Sequence, residues 1–139
     1  MQNRRSFIKK LAIGSAVISL ITFPKKMKAM NDPIENMLIH HVYFWLNDPE
    51  NTDVCKQFEK GISKLIKVET IHQSHFGRPA STEKREVVDH SYTYSLMLMF
   101  QSQNDQDVYQ VHPIHKKFVE ENSMLWDKVI VYDSTNIAR

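Results

Sequence analysis

Hydrophobic and polar positions follow two different periods in the first half of the chain. Residues 37–46 (MLIHHVYFWL) are rich in β-branched and aromatic side chains, which predicts a strand that is apolar on both faces. Turn-forming residues follow at 47–50. Between residues 54 and 66 the apolar side chains recur at steps of three and four, which predicts an amphipathic helix of about 15 residues.

The second half of the chain follows the same order of elements. Alternation in the third predicted strand places Tyr94, Leu96 and Leu98 on one face and Met97 and Met99 on the other, and we expect the methionine face to meet the helices. The predicted elements are a weak strand over 68–76, a strand over 91–100, a helix over 105–111 interrupted at Pro113, a helical segment over 114–125 and a strand over 129–132.

This order, β-α-β-β-α-β, predicts an α+β, ferredoxin-like domain over residues 37–135. It consists of a four-stranded antiparallel sheet with the helices on one face. The helices leave the other face uncovered, and a large apolar sheet face is unusual on a soluble monomer. An identical copy is the simplest cover, so we expect a homodimer formed through the open sheet face and closed into an α/β barrel.

Charge is divided unevenly along the 139 residues. Residues 1–30 hold seven basic side chains and no acidic one, whereas residues 31–139 hold 11 basic against 16 acidic, a formal charge of −5. A body with that charge argues against nucleic acid as a partner, because nucleic-acid binding needs a basic face.

The basic N-terminal region has the pattern of an export signal. Arg4-Arg5-Ser6-Phe7-Ile8-Lys9 precedes an apolar run over residues 11–23, which is shorter than the roughly 20 residues that span a bilayer. The pattern resembles a twin-arginine signal, with residues 1–30 as the signal and 31–36 as a linker. We expect an exported, periplasmic domain that meets the membrane only through residues 1–30 before processing. An uncleaved inner-membrane anchor and an amphipathic start to a cytoplasmic protein stay open.

Four further segments carry a family resemblance. They are Ile39-His40-His41-Val42-Tyr43-Phe44, Phe100-Gln101-Ser102, Tyr109-Gln110-Val111-His112-Pro113-Ile114-His115-Lys116-Lys117-Phe118 and Val131-Tyr132-Asp133. Over residues 37–134 the chain resembles the stress-responsive A/B-barrel (Dabb) family, which implies a dimeric α+β barrel with a small apolar cavity in each subunit.

A plant branch of that family works as a polyketide cyclase without metal or cofactor. The resemblance implies that the residues acting on its substrate correspond to Tyr109 and His115. Where that branch has a histidine in its third strand, this chain has Tyr94.

The chemistry of such a cyclase suits these two side chains. Removing a proton next to a carbonyl group needs a base, and the enolate oxygen needs a hydrogen-bond donor. An imidazole and a phenol fill those roles, so His115 is the candidate base and Tyr109 the candidate donor. A purely structural role, in which Tyr109 and His115 bond each other and the backbone around Pro113, stays open, and His112 is expected to be structural.

A ligand cavity is predicted from the strand faces. His41, Tyr43 and Trp45 alternate on one face of the first strand, which would give an aromatic wall suited to a small apolar or aromatic molecule. The same aromatic side chains could instead fill the space. The predicted ligand-binding residues are His41, Tyr43, Trp45, Tyr94, Leu96, Phe118, Val129 and Val131.

Neither a metal nor a cofactor is predicted. The seven histidines show no convergent ligand spacing, the chain has one cysteine, and three glycines provide no phosphate-binding loop. The leading hypothesis is a dimeric binding module for a small apolar molecule. The alternatives are a cofactor-free cyclase or isomerase using His115 and Tyr109, and a stress protein whose role lies in its assembly.

Overall fold

The computed structural model describes residues 36–137, which form an α+β fold as predicted. Their four strands lie in the order β2-β3-β1-β4, and all neighbours are antiparallel, which is the ferredoxin-like arrangement. In chain order the elements are β1 (Leu38–Leu46), α1 (Thr52–Leu65), β2 (Gln73–Gly77), β3 (Tyr94–Phe100), α2 (Gln103–Val111), α3 (Pro113–Asn122), a short 3-10 turn (Ser123–Leu125) and β4 (Trp126–Thr135).

Helix α1 follows its sequence pattern closely. The Asn51 side chain accepts hydrogen bonds from the backbone N–H groups of Asp53 and Val54, at 3.0 and 3.4 Å, and so caps the first turn. The buried apolar stripe that α1 packs against the sheet consists of Cys55, Phe58, Ile62 and Leu65.

The predicted break at Pro113 is confirmed. His112 has extended backbone angles (φ −63°, ψ 138°), because a residue before proline disfavours the helical region. Helix α2 therefore ends at Val111 and α3 begins at Pro113. The His112 Nδ1 atom accepts a hydrogen bond from the Ile114 backbone N–H at 3.1 Å, so this side chain caps α3.

The sheet has a helix-side face and an open face, and the strand register assigns residues to each. Phe44 lies opposite Tyr94, Val42 opposite Leu96, and His40 opposite Leu98. Directly opposed residues share a face, so these side chains all belong to the helix-side face. They pack with the helices in one core that includes Phe58, Ile62, Leu65, Phe100, Tyr109 and Phe118.

The predicted orientation of the third strand is wrong. Met97 and Met99 lie opposite His41 and Ile39 on the open face, whereas Tyr94 and Leu96 face the helices. Alternation fixes which residues share a face, but it does not say which face packs against the helices. Tyr94 and Leu96 therefore do not share a wall with His41, Tyr43 and Trp45.

Several predicted boundaries also change. The strand expected over 68–76 is wrong at its start. Val68 lies in the connection between α1 and β2, where its side chain is buried, and β2 begins at Gln73. Strand β3 begins at Tyr94 instead of residue 91. The helical segment expected over 114–125 is α-helical to Asn122 and continues as the 3-10 turn Ser123–Leu125. Strand β4 is longer than the predicted 129–132, since its ends pair along β1 where their polar side chains are exposed.

The predicted export signal, residues 1–30, and nearly all of the linker 31–36 lie outside the described residues. Within residues 36–137, no helix has both the length and the apolar character needed to cross a membrane.

Candidate functional site

Tyr109 lies near two imidazole rings on the helix-side face of the sheet. Its ring centroid is 4.7 Å from that of His115 and 5.9 Å from that of His40. Only 2% of Tyr109 is exposed, and burial raises the pKa of its phenol well above the ordinary value of 10. The phenol is therefore protonated at neutral pH and can act as a hydrogen-bond donor.

The hydrogen bond of His115 determines which ring nitrogen is basic. Its Nδ1 atom lies 3.1 Å from the Gln110 carbonyl oxygen, which can only accept, so Nδ1 carries the proton. Burial lowers the pKa of His115, the bond to Gln110 opposes this in part, and the nearby His40 lowers the pKa further. A neutral ring protonated at Nδ1 has its lone pair on Nε2, which is the form that a general base needs.

The His40 side chain on β1 forms a hydrogen bond with a carboxylate on the neighbouring strand β4. Its Nδ1 atom lies 2.7 Å from Oδ1 of Asp133, the residue opposite His40 in the β1–β4 register. His40 is only 4% exposed, while half of the Asp133 side chain is exposed. Because the carboxylate accepts from Nδ1–H, it leaves the second nitrogen of His40 unprotonated in the neutral ring.

These four side chains, the imidazole–phenol cluster (His40, Tyr109, His115 and Asp133), come from β1, α2, α3 and β4. Tyr109 and His115 are the two residues expected from the sequence, and the structure brings them together. His40 and Asp133 were not expected as site residues, although both stand in the segments that carry the family resemblance. The signal was therefore present, but only the β1–β4 register joins two residues that are 93 positions apart.

His112 has the structural position that was expected of it. Besides capping α3, its Nε2 atom lies 3.4 Å from a carboxylate oxygen of Glu69. Both ring nitrogens are thus engaged outside the imidazole–phenol cluster.

The predicted ligand-binding residues His41, Tyr43 and Trp45 lie on the open face. The Tyr43 hydroxyl is 3.2 Å from Nδ1 of His41, and Lys128 places its ammonium group 4.2 Å from the Trp45 ring centroid. A cavity of about 350 Å³ adjoins two of these residues, and it is lined by Tyr43, Trp45, Asp89, Tyr92, Lys128, Ile130 and Tyr132.

The other five predicted ligand-binding residues lie elsewhere. Tyr94, Leu96 and Phe118 are buried in the core. Val129 and Val131 lie opposite Phe44 and Val42, hence on the helix-side face of the edge strand β4, and each is more than 40% exposed.

Tyr94 joins a separate polar group at the other end of β3. Its hydroxyl donates to Oε1 of Glu59 at 2.5 Å and accepts from Arg78, whose guanidinium carbon lies 4.5 Å from the Tyr94 ring centroid. Hydrogen bonds from Tyr94 and Arg78 lower the pKa of Glu59. This arrangement ties the segment after β2 to α1.

The part of the chain that the structure describes brings no three His, Cys, Asp or Glu side chains together in a way that could hold a metal ion.

Comparison with known proteins identifies relatives of the whole domain. The family model described as Stress responsive A/B Barrel Domain matches residues 38–136. No curated protein gives a significant match to the chain.

Solved structures share the fold at low sequence identity. A Dabb family protein with a ferredoxin-like fold from Mesorhizobium loti has a TM-score of 0.61 at 20% identity, covering 73% of this chain and 98% of its own. A dimeric ferredoxin-like protein of unknown function from Thermobifida fusca has a TM-score of 0.59 at 16% identity, covering 73% and 92%. The hydroxynitrile lyase from Passiflora edulis has a TM-score of 0.62 at 16% identity, covering 77% and 98%.

Proposed function

Because the chain belongs to the stress-responsive A/B-barrel domain family, we propose that it is a homodimeric, cofactor-free enzyme that performs acid–base chemistry on a small carbonyl compound. The observation that carries this proposal is that a hydrogen-bond donor and an unprotonated base lie side by side in one cluster. A protonated phenol, Tyr109, stands beside His115, a neutral imidazole with its lone pair on Nε2.

The proposed reaction begins with removal of a proton from the carbon next to the carbonyl group. His115 Nε2 takes that proton, and the electron pair of the broken C–H bond moves into an enolate. The Tyr109 O–H donates a hydrogen bond to the enolate oxygen and stabilises its developing charge. The imidazolium then returns the proton to the product, so neither metal nor redox cofactor takes part.

His40 and Asp133 act as the supporting pair. Asp133 fixes the ring orientation of His40, whose ring centroid lies 5.9 Å from that of Tyr109. The His40 imidazole restricts the orientation of the Tyr109 phenol. Asp133 is a positioning residue in this scheme, because it acts through His40.

The reaction is tested with 1-phenylbutane-1,3-dione in D₂O. NMR follows deuterium incorporation at the carbon between its two carbonyl groups. Cleavage of mandelonitrile is measured in parallel, since one structural neighbour is named a hydroxynitrile lyase. Acceleration of deuterium exchange that His115→Gln abolishes supports the proposed enolate step, whereas acceleration of mandelonitrile cleavage alone would assign His115 a different acid–base reaction. Background rates with both probes, for a protein that remains folded and dimeric, would contradict it.

A homodimer through the open face is part of this proposal. Three of the structural neighbours are described as dimeric ferredoxin-like proteins, and Tyr132 is 62% exposed on that face. A second copy laid on the open face would bury Tyr132 and enclose the cavity beside Tyr43 and Trp45.

A binding module without chemistry is the second candidate, and the aromatic cavity on the open face favours it. Tyr43, Tyr92 and Tyr132 provide nearly perpendicular ring contacts there, which suit a flat apolar ligand. Saturable binding of an aromatic probe that Tyr43→Ala removes, without any acceleration of the two test reactions, would favour this candidate over the enzyme.

We also propose that the domain is exported, with residues 1–30 as a twin-arginine signal. The supporting observation is the sequence alone: Arg4-Arg5 and Phe7 before a short apolar run.

A further inference from the structure

The groove between α1 and α3 has the features of a second small-molecule site. It encloses about 360 Å³, within the range of roughly 300–1,000 Å³ that is typical of small-molecule cavities. Its apolar floor is formed by Gly61, Ile114 and Phe118. The polar residues that border it are Lys64, Lys67, Lys117, Glu121 and Asn122.

The charges around the groove are mainly positive. Lys117 has a partner, since its Nζ atom is 3.6 Å from Oε1 of Glu121. Lys64 and Lys67 form no ion pair with any residue in the described range 36–137. Two unpaired ammonium groups beside an apolar floor attract an anion, although residues 31–139 as a whole carry a formal charge of −5.

Asn122 supplies a buried polar group at the same groove. The residue is only 3% exposed, and its Nδ2 atom donates to the Phe118 carbonyl oxygen at 2.8 Å. Among the residues that the structure describes, none donates to the Oδ1 atom of Asn122. An amide with an unused acceptor and one unused N–H can bond a polar ligand group.

Gly61 leaves that amide accessible. A Cβ atom at this position would lie 2.9 Å from both the Nδ2 and the Oδ1 atoms of Asn122. Any larger residue would therefore press on the amide and occupy the bottom of the groove. Glycine at this helix position lets α1 approach the Asn122 side chain of α3 closely.

From the apolar floor, the two unpaired lysines and the buried amide, we infer that this groove binds a monocarboxylic acid with an apolar chain. The chain lies against Ile114 and Phe118, and the carboxylate faces Lys64 and Lys67. Asn122 offers its free N–H and carbonyl oxygen to the head group. This site goes beyond the proposed acid–base chemistry and does not require it.

Isothermal titration of the purified protein with sodium octanoate at low salt tests the inference. Octan-1-ol serves as the neutral probe of equal chain length. Octanoate is expected to bind at one site per chain, about tenfold more tightly than octanol, because exposed charge pairs contribute up to about 1 kcal/mol each. Lys64→Gln with Lys67→Gln should weaken octanoate binding about tenfold and leave octanol unchanged.

The matched control is Lys84→Gln with Lys116→Gln, which removes the same charge from exposed positions that do not border the groove. Equal weakening by the control pair, equal affinity for octanol and octanoate, or no saturable octanoate binding would each overturn the inference. In the unaltered protein, octanoate should shift the NMR resonances of Gly61 and Asn122, a readout that needs no substitution.

Variants of the imidazole–phenol cluster separate this inference from the proposed function. Tyr109→Phe and His115→Gln should bind octanoate with unchanged affinity. Loss of octanoate binding in these variants would place the acid in the cluster and overturn the groove site, while the acid–base proposal would stand. Conversely, octanoate binding with no acceleration of the test reactions would support the groove site and contradict the proposed enzyme.

Discussion

The ring centroids of Tyr109 and His115 lie 4.7 Å apart, although the two residues belong to different helices. The chain breaks at His112 and Pro113, and the change of direction between α2 and α3 brings the two rings into contact. A continuous helix would place positions 109 and 115 about 600° apart around its axis, on different faces. The proline is therefore responsible for the contact on which the proposed chemistry depends.

Removing either reactive group should abolish the proton-exchange reaction without unfolding the protein. We expect Tyr109→Phe and His115→Gln each to lower the exchange rate by about 10²–10⁴-fold, which is the usual contribution of a general acid or base. Deuterium incorporation followed by NMR measures the rate. His90→Gln, in the loop before β3, is the control and should retain full activity. Unchanged rates in both variants would assign these residues a structural role.

The Asp133 carboxylate should control the tautomer of His40. In Asp133→Asn the amide can present N–H to Nδ1, so that the ring proton moves to Nε2. We expect ¹⁵N NMR to show this change of tautomer, a lower exchange rate, and a loss of about 1 kcal/mol in the free energy of unfolding, discounted for the half-exposed carboxylate. Asp127→Asn, also on β4, should change none of these quantities. An unaltered His40 spectrum in Asp133→Asn would contradict the positioning role.

Two partly buried histidines should make the protein less stable in mild acid. Burial lowers the pKa of His115 and His41 below the ordinary 6.5, and the neighbouring His75 adds to the effect at His41. The unfolded chain therefore takes up protons as the pH falls below 6.5, whereas the folded protein does not until the lowered pKa is reached. The free energy of unfolding should fall across that interval and be constant above it.

Urea unfolding at a series of pH values measures this dependence. His115→Gln should flatten the slope between neutral pH and the lowered pKa, whereas His90→Gln, in the loop before β3, serves as the control. The pKa of Glu59 is lowered from 4.5, so its contribution is lost only at more acidic pH and does not confuse the result. A slope that His115→Gln leaves unchanged would show that His115 is not responsible.

The open face should determine the oligomeric state. Ile130→Glu places a charge beside Tyr43 on that face, and we expect sedimentation equilibrium to show a monomer, because burying an unpaired carboxylate in an interface is costly. Val119→Glu introduces the same charge on α3, where the side chain is 40% exposed, and should leave a dimer. A dimer that persists in Ile130→Glu would move the interface away from the open face.

Export should depend on the paired arginines. Arg4→Lys with Arg5→Lys keeps the charge of the region but removes the twin-arginine pattern, so we expect the protein to stay in the cytoplasm. Cell fractionation with immunodetection measures the distribution. Lys9→Arg with Lys10→Arg is the charge-preserving control and should be exported normally. Equal export of both variants would contradict a twin-arginine signal.

The sequence determined the local features of this protein. The apolar stripe of α1, the break at Pro113 and the order of strands and helices all follow from patterns that extend over a few residues, and the structure has each of them. Local sterics and side-chain spacing suffice for such features. Tyr109 and His115 were expected from a family resemblance that one short motif carries.

Only the tertiary structure decided which sheet face meets the helices and which distant residues meet each other. The prediction placed Met97 and Met99 against the helices, whereas in the structure Tyr94 and Leu96 face them. Alternating apolar residues are compatible with either orientation of the strand. The His40–Asp133 contact needs the β1–β4 register, and the groove at Gly61 needs α1 packed on α3. Such contacts depend on the balance of packing over the whole domain, which no single segment of the chain contains.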